Sequence, residues 1–300
     1  TGQDNEGNQR TAVCCLSSLN LDTYDQWSED PQFVEDVMRF LDNVMTDFIN
    51  RAPDEFAHAK YSAMRERSVG LGVMGLHSFF QQKNIPFGSV MSKVWNKKIF
   101  KNIQEKVDAA SVSLAEERGS CPDAEEYGIK ERFSNKTAIA PTASISIICG
   151  GSSPGIEPIA ANSYTHKTLS GSFNVRNKYL KKILEKHKKN TDEVWSSITT
   201  NQGSVSHLDF LTAEEKDTFK TAFEIDQRWI VELGADRTPH ISQAQSINVF
   251  VPADIHKKEL HAIHFQAWKK GLKSLYYCRS KSIQRAENVQ AGSSTDVTKN

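Results

Sequence analysis

Ala140-Pro141-Thr142-Ala143-Ser144-Ile145-Ser146-Ile147-Ile148-Cys149-Gly150-Gly151 is the stretch on which the reading of the whole chain turns. A hydroxyl-bearing turn follows a proline, and an apolar run then enters a glycine pair. The spacing predicts a loop followed by a buried strand. Small residues let a polar ligand approach the main chain, and Thr142, Ser144 and the intervening N–H groups could surround an anion. A plain strand with a Ser/Thr-rich turn and an anion-binding loop are both open at this point, and the flanking segments must choose between them.

Three hundred residues with 38% hydrophobic content are enough for one large domain or two modest ones. Lys+Arg and Asp+Glu balance at 37 each, so nothing suggests a general affinity for nucleic acid or an anionic membrane. No apolar run approaches the roughly 20 residues of a membrane span. Five cysteines, an odd number without framework spacing, suit a reducing cytoplasm. The chain starts at Thr1, and its polar opening, residues 1–11, reads as a flexible lead in a processed, split or trimmed polypeptide.

Upstream of the central stretch, Ala12-Val13-Cys14-Cys15-Leu16 has strand length. Asp30-Pro31 predicts a helix start, with Asp30 as cap and Pro31 at the first helical position. Phe33, Val34, Val37, Phe40, Leu41, Val44, Met45, Phe48 and Ile49 then give one apolar face over 31–50. Gly70, Gly72 and Gly75 spell G-x-G-x-x-G, but Arg65-Glu66-Arg67 stands where a buried strand should precede it. No acidic residue follows about 20 positions on, so a tight strand-to-helix junction is predicted rather than a dinucleotide site. Ser89 caps a long helix over 89–118, ended by Gly119 and Pro122.

Downstream, the basic run at 181–189 reads as a solvated helix face. Thr212-Ala213-Glu214-Glu215 is a capping box for a helix running to about Leu233 and stopping at Gly234. Ser246–Val251 reads as a strand, and 253–270 as a helix. His256, His261 and His264 lack H-E-x-x-H spacing, so no metal site is assigned. Gly271–Ser280 reads as a strand ending in adjacent tyrosines, and the polar tail 287–300 as disordered. Strands alternating with helices predict an α/β fold.

Six stretches together resemble the large, catalytic subunit of ribonucleotide reductase. They are Cys14-Cys15-Leu16-Ser17-Ser18-Leu19-Asn20-Leu21, Gly70–Leu76, Ala140–Ser144, Gly155-Ile156-Glu157-Pro158, Gln243–Asn248 and Gly271–Tyr277, in the family's order. The resemblance spans about residues 12–286. It implies the second half of a ten-stranded α/β barrel. By position, Cys14 would be one of two thiols oxidised to a disulfide during turnover. Thr142, Ala143, Ser144 and Ile145 would lie at the substrate diphosphate. Tyr276 and Tyr277 would pass an electron hole from a radical-generating small subunit, which implies class I. No cofactor would be bound by this chain; the radical would come from the metal-containing small subunit and reducing equivalents from a thioredoxin- or glutaredoxin-type thiol.

These residue types suit that chemistry. A thiol titrates near about 8.5 and stays protonated as a reductant at neutral pH. Neighbouring phenols can exchange an electron and a proton without a free charge in a low-dielectric interior. An ordinary strand would instead send Tyr276 and Tyr277 to opposite faces. The same alternation ranks Cys15 second to Cys14. The family's radical cysteine, the partner of Cys14, the regulatory nucleotide-binding regions and a C-terminal cysteine pair are not in this sequence. Ile145 stands where some members carry a hydroxyl. The expected partners are therefore the N-terminal part of the large subunit, the small subunit and a nucleoside diphosphate, and the lone half-barrel is expected to self-associate. Two rivals are a cobalamin-dependent reductase fragment and a non-catalytic remnant that only assembles with a partner.

Overall fold

The structure is a computed structural model that describes residues 2–168 and 171–280, so the tail expected to be disordered lies outside the described residues. The opening is not the free lead expected. β1 (Gly2–Gln3) pairs antiparallel with β2 (Gln9–Arg10). The hairpin is tied down because Tyr61 donates to Asp4 (2.8 Å) and Arg10 forks onto Asp123 (2.9 Å for Nη2).

β3 (Leu16–Asn20) begins two residues after Cys14, and α1 (Tyr24–Trp27) follows it. α2 (Phe33–Arg51) starts two residues later than the Asp30-Pro31 signal predicts. Asp30 still accepts from the N–H groups of Gln32 and Phe33, at 2.9 and 3.3 Å, with Pro31 in the turn before the helix. Val34, Met38, Leu41 and Met45 bury the inner face, each worth about 1.5–3 kcal/mol. Phe40 and Val44, expected in that stripe, are exposed. After α3 (Ala57–Glu66), β4 (Gly70–Met74) is buried throughout and runs parallel to β3, with Leu16 opposite Gly70 and Asn20 opposite Met74. The glycines serve packing: a Cβ on Gly70 would strike Leu16, and one on Gly72 would lie 2.2 Å from the Ala138 carbonyl. Gly75, at φ +83°, turns the chain into α4 (Leu76–Gln82), the predicted junction.

α5 (Val90–Arg118) matches its expectation, with Ser89 and Ser92 closing a capping box. α6 (Pro122–Glu126) leads to residues 137–139, which bridge β4 on one side (Leu71 to Thr137) and residue 245 on the other (Ile139 to Gln245), both parallel. The run 145–148, expected as strand, is instead a single helical turn, α7 (Ile145–Ile148). An unanticipated hairpin follows, β5 (Ser163–Thr168) with β6 (Gly171–Arg176), and then α8 (Lys178–Lys186) and α9 (Asp192–Thr200). These helices and their loops hold a small second core around Leu180, Trp195 and Phe219.

The predicted 212–233 helix is broken. α10 (Ala213–Thr218) carries the Thr212–Glu215 box, and α11 (Gln227–Arg237) restarts at Asp226. Between them the Ala222 N–H leaves the helical pattern and donates to the Ile159 carbonyl at 2.7 Å. Gly234 does not stop α11; a Cβ there would lie 2.9 Å from Ile247, so glycine lets helix and strand approach. β7 (Val249–Val251) pairs parallel with β8 (Cys278–Ser280) across α12 (Lys257–Lys269). Five parallel staves thus follow one another: β3, β4, 137–139, 243–251 and 276–280. The main core lies between these staves and helices α2, α4, α5 and α11. This is the partial α/β barrel expected, and among the described residues neither β3 nor β8 has a strand on its far edge. No helix among the described residues is long and apolar enough to cross a membrane.

His77 on α4 is fully buried, and its Nδ1 accepts the Ile159 N–H at 3.0 Å. Burial pushes it down to about 3. Because the unfolded chain takes the proton first, this stability is complete above about pH 6.5 and is lost as pH falls toward 3. We expect urea midpoints to drop over that window, by up to roughly 3–5 kcal/mol of stability in all, and His77→Asn to flatten the slope. An unchanged slope in that variant would show that the proton goes elsewhere.

Candidate functional site

The central stretch builds a cradle at the end of the third stave. Thr142 has φ +53°, an outlying conformation for a β-branched residue. It is held there because its Oγ1 accepts the Gly155 N–H at 2.7 Å and its carbonyl accepts the Ser146 N–H at 3.0 Å. Gly155 has no alternative, since a Cβ would lie 2.9 Å from the Ala140 carbonyl. Ala143, Ser144 and Ile145 are exposed. Their N–H groups find no partner among the described residues, and the Ser144 side chain makes no capping bond. Three consecutive free N–H groups and a free hydroxyl therefore head α7, a neutral arrangement able to take a diphosphate oxygen.

Cys14 and Cys15 diverge as the alternation predicts. Cys15 is buried against α2, its thiol facing the Leu41 carbonyl at 3.9 Å, and burial pushes its pKa up. Cys14 is exposed. Alternation puts Cys14 on the side of Leu16, Ser18 and Asn20, opposite to core residues Cys15 and Leu19. At the far end of that side, Asn20 donates to the Cys149 carbonyl at 3.2 Å, and Ser152 donates to Asn20 at 3.0 Å. The first stave thus touches the turn that follows the cradle, but through Asn20 and not through Cys14. Sequence reasoning gave Asn20 no role, and its only signal was its place in the first of the six stretches.

The tyrosines lie just before β8, not inside a strand. The Tyr276 N–H donates to the Ile247 carbonyl (2.8 Å), and the Tyr277 N–H donates to Asn248 Oδ1 (2.9 Å). Their rings do not take opposite faces: the centroids are 4.1 Å apart and the planes tilted by 47°. The adjoining Tyr277 phenol holds the Tyr276 pKa above its usual value. Both rings are about half exposed, and the Arg279 guanidinium stands over Tyr277 at 5.6 Å. Cys14, the cradle and the tyrosines occupy the first, third and fifth staves. Two clefts of about 470 and 800 Å³ lie elsewhere, against α5, and contain none of these residues.

Comparison with known proteins bears on this arrangement directly. The family described as "Ribonucleotide reductase, barrel domain" matches residues 3–130 and 123–278. A ribonucleoside-diphosphate reductase large subunit of Invertebrate iridescent virus 6 is 50% identical over 286 residues, covering 94% of this chain and 30% of that protein. The corresponding large subunit of Invertebrate iridescent virus 3 is 45% identical, covering 95% of this chain and 46% of the relative. Among solved structures, the Actinobacillus ureae class Id ribonucleotide reductase alpha subunit superposes with a TM-score of 0.84 at 39% identity, over 93% of this chain and 51% of that one. The chain thus spans between 30% and 51% of the length of these relatives. With the family match running over residues 3–278, the chain belongs to the ribonucleotide reductase barrel-domain family.

Proposed function

We propose that this chain is the C-terminal part of a class I ribonucleoside-diphosphate reductase large subunit, working with an N-terminal part that completes the barrel. The observation that carries the reading is the contact between the Tyr276 and Tyr277 rings, which strand geometry alone does not produce. At 4.1 Å between centroids, the two phenols are close enough to exchange an electron, each giving up or regaining its own proton locally.

In this reading the N–H groups of Ala143, Ser144 and Ile145, with the Ser144 hydroxyl, hold the substrate diphosphate. The Thr142 hydroxyl oxygen is taken by Gly155, so Thr142 contributes by fixing the loop and by its own proton. Cys14 and a thiol from the N-terminal part supply two electrons and two protons. The ribose 2′ C–O bond breaks, a C–H bond forms, water leaves, and the thiols close into a disulfide. A thioredoxin- or glutaredoxin-type thiol reopens it. Tyr276 and Tyr277 would pass an electron hole between the small subunit, whose metal would supply the radical, and the radical cysteine of the N-terminal part. Five free thiols suit a reducing cytoplasm.

The test is reconstitution of this chain with the N-terminal part and a small subunit, followed by chromatography of products from a ribonucleoside diphosphate. Deoxynucleotide that depends on all three components is the expected result. Assembly of the barrel without any product would refute the catalytic reading and leave a remnant that only assembles.

A further inference from the structure

Glu157 enters no step above, yet it is a buried carboxyl between the cradle and the tyrosine pair. Its segment starts at Gly155, whose N–H is held by Thr142. Its Oε1 accepts from Asn248 Nδ2, and Asn248 Oδ1 in turn accepts the Tyr277 N–H at 2.9 Å. Tyr277 returns its carbonyl to the Val249 N–H, also at 2.9 Å.

The orientation of the Asn248 amide decides whether this chain of bonds holds. Asn248 is almost wholly buried, so no solvent replaces a lost partner. Turned over, its amide would point N–H at the Tyr277 N–H, donor against donor. An acceptor on the opposite side locks the same orientation from the amide's other end, and Glu157 is that acceptor. Burial pushes its carboxyl up to about 6, opposed by Arg279 and by the Asn248 bond. A desolvated acid at that site is costly unless the groups around it use it.

We propose that Glu157, acting through Asn248, is a positioning residue that keeps Tyr276 and Tyr277 in ring contact; this rests on the reading of the pair as a radical relay. The Gly155–Glu157 segment then ties the diphosphate loop to the relay, with Thr142 at one end and Tyr277 at the other.

The full chain carrying 3-fluorotyrosine, examined by fluorine NMR with signals assigned by single Tyr→Phe changes, tests it. Glu157→Ala should shift or broaden the Tyr276 and Tyr277 signals while those of Tyr24 and Tyr61 stay in place. Glu157→Gln, which keeps an acceptor oxygen, should restore them. Asn248→Ala should reproduce the Glu157→Ala change, and the double variant should add nothing. Unmoved Tyr276 and Tyr277 signals in Glu157→Ala, or full additivity with Asn248→Ala, would overturn the proposal. If Glu157→Ala unfolds, as moving Tyr24 and Tyr61 signals would reveal, Glu157→Met fills the space without an acceptor and is judged identically. In the reconstituted enzyme Glu157→Ala should lower kcat at least tenfold at unchanged KM. An inactive wild-type reconstitution would count against the relay reading itself, while the fluorine signals still decide the link.

Discussion

Cys14→Ser should lower multiple-turnover deoxynucleotide formation by the reconstituted enzyme at least a thousandfold, with diphosphate binding intact. A serine hydroxyl can fill the thiol's space but cannot close a disulfide, so the two electrons have no source. Cys15→Ser is the control that gives this result meaning. The two thiols are adjacent in sequence, yet Cys15 is packed under α2 while Cys14 stands exposed on the other side of the chain. Cys15→Ser should keep most turnover and cost only some stability. Rates read by product chromatography would show the asymmetry; equal losses in both variants, or turnover surviving Cys14→Ser, would remove Cys14 from the role assigned to it.

Asp42→Ala should be the most damaging single change to the fold. Asp42 has no solvent exposure and lies on α2. It accepts from Arg67 (2.6 Å), Arg118 (2.8 Å) and Arg132 (2.9 Å). One carboxylate thereby joins α2, the entry to β4, the end of α5 and the segment leading to the third stave. Removing it leaves the buried guanidiniums of Arg67 and Arg132 facing each other without a counter-charge. Breaking a buried pair from one side costs about 3–5 kcal/mol, a large part of the roughly 5–15 kcal/mol that holds a typical domain. The expected result is a denaturant midpoint shifted far down, or a chain that does not fold. The three arginines hold the Asp42 pKa below its usual value, so this contribution is lost only as pH falls below the ordinary carboxylate range. A midpoint within experimental error of wild type would show the cluster to be superficial.

What was legible in the sequence had a local cause. α5 was readable because Ser89 caps it and Gly119 ends it, and the glycine junction because Gly75 must turn the chain. α7 was not, because Ile145, Ile147 and Ile148 have strand character and only their position at the end of a stave coils them. The break between α10 and α11 depends on one carbonyl, that of Ile159, 63 residues before Ala222. In the site, residue types pointed to the loop at 142–145, and strand alternation separated exposed Cys14 from buried Cys15. The ring contact of Tyr276 with Tyr277 contradicts simple alternation and needs Asn248 beneath the backbone. A buried asparagine has no meaning in sequence until its neighbour is known.

Thr142 carries a last consequence. Its left-handed backbone is paid for when the protein folds, so the loop carrying the three free amides beyond it is set before any ligand arrives. A loop set in advance loses little freedom on capturing its anion. In the proposed reading, a diphosphate would then be gripped by main-chain N–H groups without a cationic side chain from residues 142–145.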